Sequence, residues 1–335
     1  MVTANSTIEE VFEKISQVTA LVVGDVMLDA YFWGKVERIS PEAPVPIVHV
    51  EKKENRLGGA ANVALNIKAL DATAIICSVV GDDDKGKLFC DLVEKEGMDS
   101  SGIIKSMSRK TTVKTRVIGN NHQMLRVDQE MLDELNSEEE RNLFEKISDL
   151  TEEKKIDVII FEDYDKGVLT STLIKKIIDL ANKKQIISAV DPKKKHFGDY
   201  KHVTLFKPNL KELKDGLKED FDNYNPDAVK KAVAKLQLQQ KAKYILTTLS
   251  EQGILITGNN VEAMVPATVR NISDVSGAGD TVISVAALAL AAGLEPVLTA
   301  QLANLAGGLV CEEVGVVPVR KTRLMKEASL MNLFK

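Results

Sequence analysis

The feature that most constrains the fold is a rhythm. Short, β-branched apolar runs recur along the chain, and a helical-looking segment separates each from the next. Residues 20–23, 74–80, 158–161, 186–190, 203–206 and 244–248 read as strands. Residues 60–70, 85–96, 138–148, 171–183 and 227–239 carry apolar residues at helical spacing with charge on the opposite side. Strands and helices that alternate in this way bury both faces of a parallel sheet under crossover helices, so the expected class is α/β, doubly wound. A chain of 335 residues is long for one core, yet α/β folds of this size stay whole with an accessory element. One domain spanning 1–335 with a small lid is therefore expected.

Two stretches break the rhythm. The proline-bearing segment 39–53 and the alternating segment 111–128 read as antiparallel strands. They are expected to pair with each other, within lid segments 31–56 and 109–128. In the second, Thr112, Lys114 and Arg116 share one face and Val113, Thr115 and Val117 the other. The same pattern would suit a half-solvated edge ribbon that binds nothing.

A formal net charge of −5 gives no footprint for nucleic acid, so an anionic small substrate would need locally placed cations. Cys77, Cys90 and Cys311 are too scattered for a disulfide framework or a zinc site. The acidic start of the chain lacks the pattern of a signal peptide, and the apolar run 282–292 is too short to span a bilayer. A cytoplasmic protein without membrane partners is expected.

The chemistry concentrates in three segments. In Asp274-Val275-Ser276-Gly277-Ala278-Gly279-Asp280-Thr281, small residues feed a long apolar helix. With no side chains on Gly277 and Gly279, the backbone N–H groups can approach a phosphoryl group closely at a helix N-terminus. Asp280 then falls in the first turn, where its carboxylate can accept a proton from an attacking hydroxyl. An ordinary N-cap would look the same. Gly58-Gly59-Ala60-Ala61-Asn62 sets paired glycines before a second helix, with Asn62 able to bond a polyol. Lys207-Pro208-Asn209-Leu210-Lys211-Glu212 puts Asn209 and Glu212 one turn apart, which suits a hydrated Mg²⁺ and equally a capping box. The turn from Thr247 through Thr248, Ser250 and Gly253 is a further candidate nucleotide contact.

Gly58-Gly59-x-x-Asn62 and Asp274-x-x-Gly277-Ala278-Gly279-Asp280, in this order and spacing, resemble the two signatures of ribokinase-like (PfkB) carbohydrate kinases. The resemblance runs from Leu21 to about Val319. Within the family, Gly24–Tyr31, Arg38–Pro46 and Asp163-Tyr164-Asp165-Lys166-Gly167 are similar to the branch that phosphorylates heptose 7-phosphate. Leu57, before the double glycine, and Ser250, after Thr-Leu, depart from the branch pattern.

The resemblance implies a ribokinase-like sheet with a β lid, and transfer of phosphate from ATP with Mg²⁺ to the anomeric hydroxyl of the sugar. Asp280 would be the base, with Gly277, Ala278 and Gly279 as the anion hole. Asp29, Gly58, Gly59 and Asn62 would hold the sugar, and Lys114, Arg116, Arg126 and Lys166 its phosphate, with Arg38 and Arg56 as competitors. Asn209, Thr248, Ser250, Gly253, Gly277 and Gly279 would meet the nucleotide, and Asn209 and Glu212 the metal through water. It further implies a homodimer through paired lids. Lacking a His-x-Gly-His element, the chain would leave nucleotidyl transfer to a separate nucleotidyltransferase. A kinase for another hexose, hexose phosphate or nucleoside, a dinucleotide oxidoreductase and a non-catalytic sugar-binding protein are the alternatives. Gly58-Gly59 lacks the spacing the oxidoreductase needs, and retention of Asp280 with Gly277 and Gly279 speaks against lost catalysis.

Overall fold

The computed structural model describes residues 6–268 and 270–335. The described chain starts with α1 (Ile8–Ser16) and β1 (Thr19–Gly24), then leaves the main sheet along two long strands, β2 (Val26–Ile39) and β3 (Pro46–Gly59). It returns through α2 (Ala60–Ala69), β4 (Thr73–Gly81), α3 (Asp84–Lys95) and β5 (Ile103–Ser106). A hairpin of β6 (Val113–Gly119) and β7 (His122–Gln129) rejoins the excursion. Next come α4 (Ser137–Glu153), β8 (Val158–Glu162), α5 (Ser171–Lys184), β9 (Ile187–Asp191) and β10 (Leu205–Phe206). The rest is α6 (Leu210–Leu217), α7 (Pro226–Gln240), β11 (Tyr244–Thr248), the hairpin β12 (Ile254–Gly258) and β13 (Val261–Val265), and α8 (Ala278–Ala291), α9 (Pro296–Val310) and α10 (Lys321–Leu330).

The main sheet runs β13-β12-β11-β10-β9-β8-β1-β4-β5. From β11 to β5 every pairing is parallel, and the β12–β13 hairpin closes one edge antiparallel. Alternate residues of β1 feed two cores: Ala20 and Val22 belong to the one that holds α2 and α8, Leu21 and Val23 to the one that holds α4 and α5. Helix α8 is buried continuously from Asp280 to Leu290, which is why its sequence is apolar all round instead of striped. No described helix is long and apolar enough to cross a membrane.

The expected α/β class is observed, with strand and helix bounds close to those read from the sequence. The 203–206 run enters the sheet only at Leu205. The lid differs. It is a four-stranded sheet in the order β3-β2-β6-β7, so segments 39–53 and 111–128 do not pair with each other. β2 lies between them, antiparallel to β3 and parallel to β6.

Sheet order makes the site. Successive strands step from β1 toward β4 and β5, then reverse toward β8, β9 and β10, and a crevice opens where the direction changes, between β1 and β8. Asp25 and Glu162 sit at those two strand ends.

Candidate active site

Three neighbouring strands each finish on a buried charge: Glu162 ends β8, Asp191 ends β9 and Lys207 follows β10. Helix α8 points its N-terminus at this row. Its N-cap, Gly277, holds φ +79, a conformation that favours glycine. A Cβ on Gly279 would stand 3.6 Å from both Asp191 Oδ2 and Lys207 Nζ. Lys207 donates to Asp191 at 2.9 Å, and Lys193 to Asp191 at 3.3 Å and to Glu212 at 2.9 Å. Burial raises the Asp191 carboxyl, but the two lysines outweigh it and leave the group below its usual value.

Asp280 is buried in the same place. Its Oδ2 accepts from Asn62 Nδ2 at 2.6 Å and its Oδ1 from the Tyr164 hydroxyl at 2.9 Å. Burial pushes its carboxyl up to about 6; the Asn62 bond opposes the rise and Asp191 adds to it. Among the described residues Glu162 has no partner on either oxygen, and burial, with Asp191 and Asp280 nearby, holds its carboxyl well above the usual range. A base near neutrality beside a helix N-terminus is the equipment of hydroxyl activation and phosphoryl transfer.

The sugar-side candidates meet at the root of the lid. Asp29 on β2 is buried and ion-paired with Arg116 on β6. A Cβ on Gly58 would run into the Asp29 carboxylate, and one on Gly59 into the Asp25 carbonyl oxygen. Gly59 also holds φ +61, as the N-cap of α2. Asn62 turns its amide nitrogen to Asp280 and leaves Oδ1 without a partner. Asp25 accepts backbone N–H groups from Tyr164 (2.9 Å), Lys166 (3.1 Å) and Val168 (3.0 Å), fixing the loop that carries Tyr164.

The four expected phosphate cations do not form one group. Lys114, Arg126 and Lys166 gather on Asp128 and Glu130. Arg116 instead joins Arg56 on the ring of Tyr31, their guanidinium carbons 5.3 and 4.9 Å from its centre. Arg38 lies further out along β2, on an exposed stretch.

On the other side of Gly279 opens a cleft of about 670 Å³. Thr248, Ser250, Gly253, Ala278, Gly279 and Gly307 line it, with Ile254 and Val282 supplying apolar wall. A Cβ on Gly307 would run into the Val282 side chain and one on Gly308 would crowd that of Arg270, so the two glycines let both side chains pack closely on α9 in the cleft wall. Ser250 holds φ +52 and Gly253 φ +99, so the departure at Ser250 puts a side chain where glycine is cheap. Asn209 and Gly277 are not among the cleft's walls. Asn209 and Glu212 form a reciprocal capping box at α6, and the second Glu212 oxygen accepts from Lys193.

Glu162, Asp191, Lys193, Lys207 and Tyr164 were not singled out from the sequence as site residues. The available signal was positional: an apolar strand whose last residue, or the next, is charged, three times in succession.

Comparison with known proteins agrees with this geometry. Residues 19–323 match the family described as pfkB family carbohydrate kinase. A protein of Helicobacter pylori named bifunctional protein HldE is 41% identical over 88% of this chain and 63% of its own length. A Geobacter sulfurreducens protein of the same name is 37% identical over 95% of this chain and 64% of its own. The chain thus spans a little under two thirds of these curated relatives. Among solved structures, Escherichia coli phosphofructokinase-2 in complex with fructose-6-phosphate superposes with a TM-score of 0.75 at 20% identity, covering 93% of this chain and 99% of that one. Arabidopsis thaliana ribokinase complexed with ribose and ATP gives 0.69 at 16%, covering 92% and 99%. At such identities these two speak for the fold alone. With 305 consecutive residues matched by the family, the chain belongs to the pfkB carbohydrate kinases and is a phosphotransferase.

Proposed function

We propose that the chain transfers the γ-phosphoryl group of ATP to the anomeric hydroxyl of D-glycero-β-D-manno-heptose 7-phosphate, giving the 1,7-bisphosphate. The product would feed nucleotide-activated heptose toward lipopolysaccharide core in the cytoplasm. The observation that carries the reading is Asp280, in the first turn of α8, with the cleft on one side and Asn62, Asp29 and the lid root on the other. The heptose is supported by the relatives named HldE and by the branch-like runs Gly24–Tyr31, Arg38–Pro46 and Asp163–Gly167.

In this reading Asp280 takes the proton of the sugar hydroxyl, while Tyr164 and Asn62 fix its orientation. Backbone N–H groups of Ala278, Gly279 and Asp280 and the ammonium groups of Lys193 and Lys207 face the transferred charge. Carboxylate oxygens of Glu162, Asp191 and Asp280 cluster together, with Asp191 beside Gly279, and hard oxygens of this kind suit Mg²⁺. Asn209 and Glu212 would meet a nucleotide-borne Mg²⁺ through water, and that ion neutralises triphosphate charge. Lys114, Arg126 and Lys166 hold three positive charges against two on Asp128 and Glu130, leaving a surplus for the 7-phosphate. Exposed Leu125 and Val127 on the lid's outer strand β7 offer a surface for a second copy of the chain.

The test is ADP release on purified heptose 7-phosphate, unphosphorylated heptose, hexoses and hexose phosphates. Equal use of an unphosphorylated sugar would leave only the general carbohydrate-kinase activity.

A further inference from the structure

Arg109 lies just before lid strand β6 and is buried, 8% exposed. Its Nη1 donates to the Asp133 carbonyl at 2.8 Å and its Nη2 to the Lys166 carbonyl at 2.7 Å. Among the described residues no carboxylate pairs with it. A guanidinium buried without a carboxylate partner is costly, and an apolar side chain would fill the place more cheaply if packing were its only task.

The two carbonyls belong to different segments. Asp133 follows Glu130 on the stretch by which the chain leaves the lid, between β7 and α4, and Lys166 lies in the loop after β8 that carries Tyr164. Lys166 Nζ donates to Glu130 Oε1 at 2.9 Å, so one guanidinium grips the segments that bear both members of that ion pair. The segments also lie against each other. Leu135 gives its N–H to the Gly167 carbonyl at 3.0 Å, and a Cβ on Gly167 would run into the Asp133 carbonyl oxygen.

Arg109 itself has an anchored root. Thr111 gives its N–H to Asp83 Oδ2 at 3.0 Å and its hydroxyl to Asp83 Oδ1 at 2.8 Å, and Gly81 at the end of β4 donates to Thr111 Oγ1 at 3.0 Å. The side chain therefore reaches from the edge of the main sheet to the chain leaving the lid and to the Tyr164 loop. Lysine cannot replace it, because one ammonium nitrogen would stand in for the two that a planar guanidinium aims at separate carbonyls.

We infer that Arg109 is a positioning residue: it ties the chain leaving the lid to the loop of Tyr164 and Lys166, so that the hydroxyl orienting Asp280 and the cation offered to the acceptor's phosphate are set together. The inference rests on the roles proposed for Tyr164 and Lys166.

Arg109→Lys in the whole chain tests it by two measurements, and the first needs no acceptor. Amide hydrogen exchange in the free protein follows the N–H groups of Tyr164, Lys166, Val168 and Leu135, which bond to Asp25 and Gly167. Exchange over 130–136 and 162–169 should rise at least about tenfold while α7 stays within about twofold of wild type. The second is steady-state kinetics with ATP and heptose 7-phosphate. The acceptor KM should rise and kcat fall by about tenfold each, with the KM for ATP within about twofold. In a Lys166→Ala background Arg109→Lys should no longer change the acceptor KM, and in a Tyr164→Phe background it should no longer change kcat, since each effect runs through the residue removed. Should the lysine variant fold poorly, Arg109→Met, which keeps the stem and removes the buried charge, repeats both measurements with the same outcomes expected. Exchange in both segments unchanged overturns the inference, as does exchange raised equally in α7, which would mark a fold loosened throughout. Equal effects of Arg109→Lys in all three backgrounds also overturn it. If wild type ignores heptose 7-phosphate, the heptose reading fails alone: the exchange result stands, and the kinetics are run with the hexose phosphate that does release ADP.

Discussion

Replacing Gly279 with alanine separates a glycine kept for a ligand from one kept for the fold. Gly279 is the second residue of α8, its φ is not positive, and the nearest atoms to an added Cβ are 3.6 Å away, an ordinary contact. A helical Gly→Ala exchange gains about 1 kcal/mol, less in a first turn, so Gly279→Ala should be about 0.5 kcal/mol more stable than wild type. Catalysis should move the other way. The methyl group would stand where a phosphoryl oxygen must approach the backbone, and loss of one such donor costs roughly 10²–10³ in kcat. Gly59→Ala is the contrast: φ is +61 and the Cβ meets the Asp25 carbonyl. A strained side chain there costs about 1–3 kcal/mol before any clash is counted. Urea midpoints and steady-state kinetics on both variants suffice. Gly279→Ala with wild-type turnover, or with a stability loss like that of Gly59→Ala, would refute the assignment of Gly279 to the phosphoryl group.

Asp280→Asn should bind ATP nearly normally and turn over at least about a hundredfold more slowly, the usual contribution of a positioned base; near-normal turnover would dismiss Asp280 as that base. Its carboxyl stands at about 6 in the fold against 3.8 ordinarily, so its protonated form favours folding, an effect present below about pH 4 and lost as pH rises through 6. In EDTA without nucleotide, Asp280→Asn should therefore match wild type at pH 4 and exceed it at pH 8 by up to ~3 kcal/mol; equal differences at both pH values would show an unshifted group. Lys166→Ala should raise the KM for heptose 7-phosphate about tenfold and leave that for ATP unchanged, one charge-assisted bond being worth about 1.5–3 kcal/mol. Arg116→Ala should melt lower, because it strands the buried Asp29 carboxylate, and should raise the acceptor KM through Asp29 rather than through the phosphate. Unchanged acceptor KM in Lys166→Ala would move the sugar phosphate elsewhere.

What could be read from the sequence was whatever a strand or helix writes into a short window. Residues 158–161 and 244–246 are apolar on both faces because helices cover both, and they stand out. β2 and β3 do not: beyond their roots they are mostly exposed, so polar residues such as Lys52, Lys53, Glu54 and Asn55 hide a strand whose partner is defined only by the fold. The glycine signatures at 58–59 and 277–279 were legible because Gly59 and Gly277 answer a local backbone demand, a positive φ at a helix N-cap. Lys193 sits in a run of three lysines and Glu162 and Asp191 precede further acidic or turn residues, which is how solvated charge normally looks. Only the side-by-side order of β8, β9 and β10 brings these residues together. Asn209 and Glu212 satisfied two sequence readings at once, and the capping geometry is the one visible in the fold.

The lid has a mechanical consequence. β2 leaves the sheet at Val26 and continues for 14 residues, a lever arm of roughly 45 Å at about 3.3 Å per residue. Its fulcrum is where Val26 and Met27 pair with Gly59 and Gly58, two residues before Asp29. A rotation of about 5° at that fulcrum would sweep the far turn at Ser40–Val45 through roughly 4 Å over such an arm. The geometry therefore amplifies: if Asp29 holds a sugar hydroxyl as proposed, a small adjustment at the fulcrum would become a displacement large enough to follow with a reporter attached at the tip.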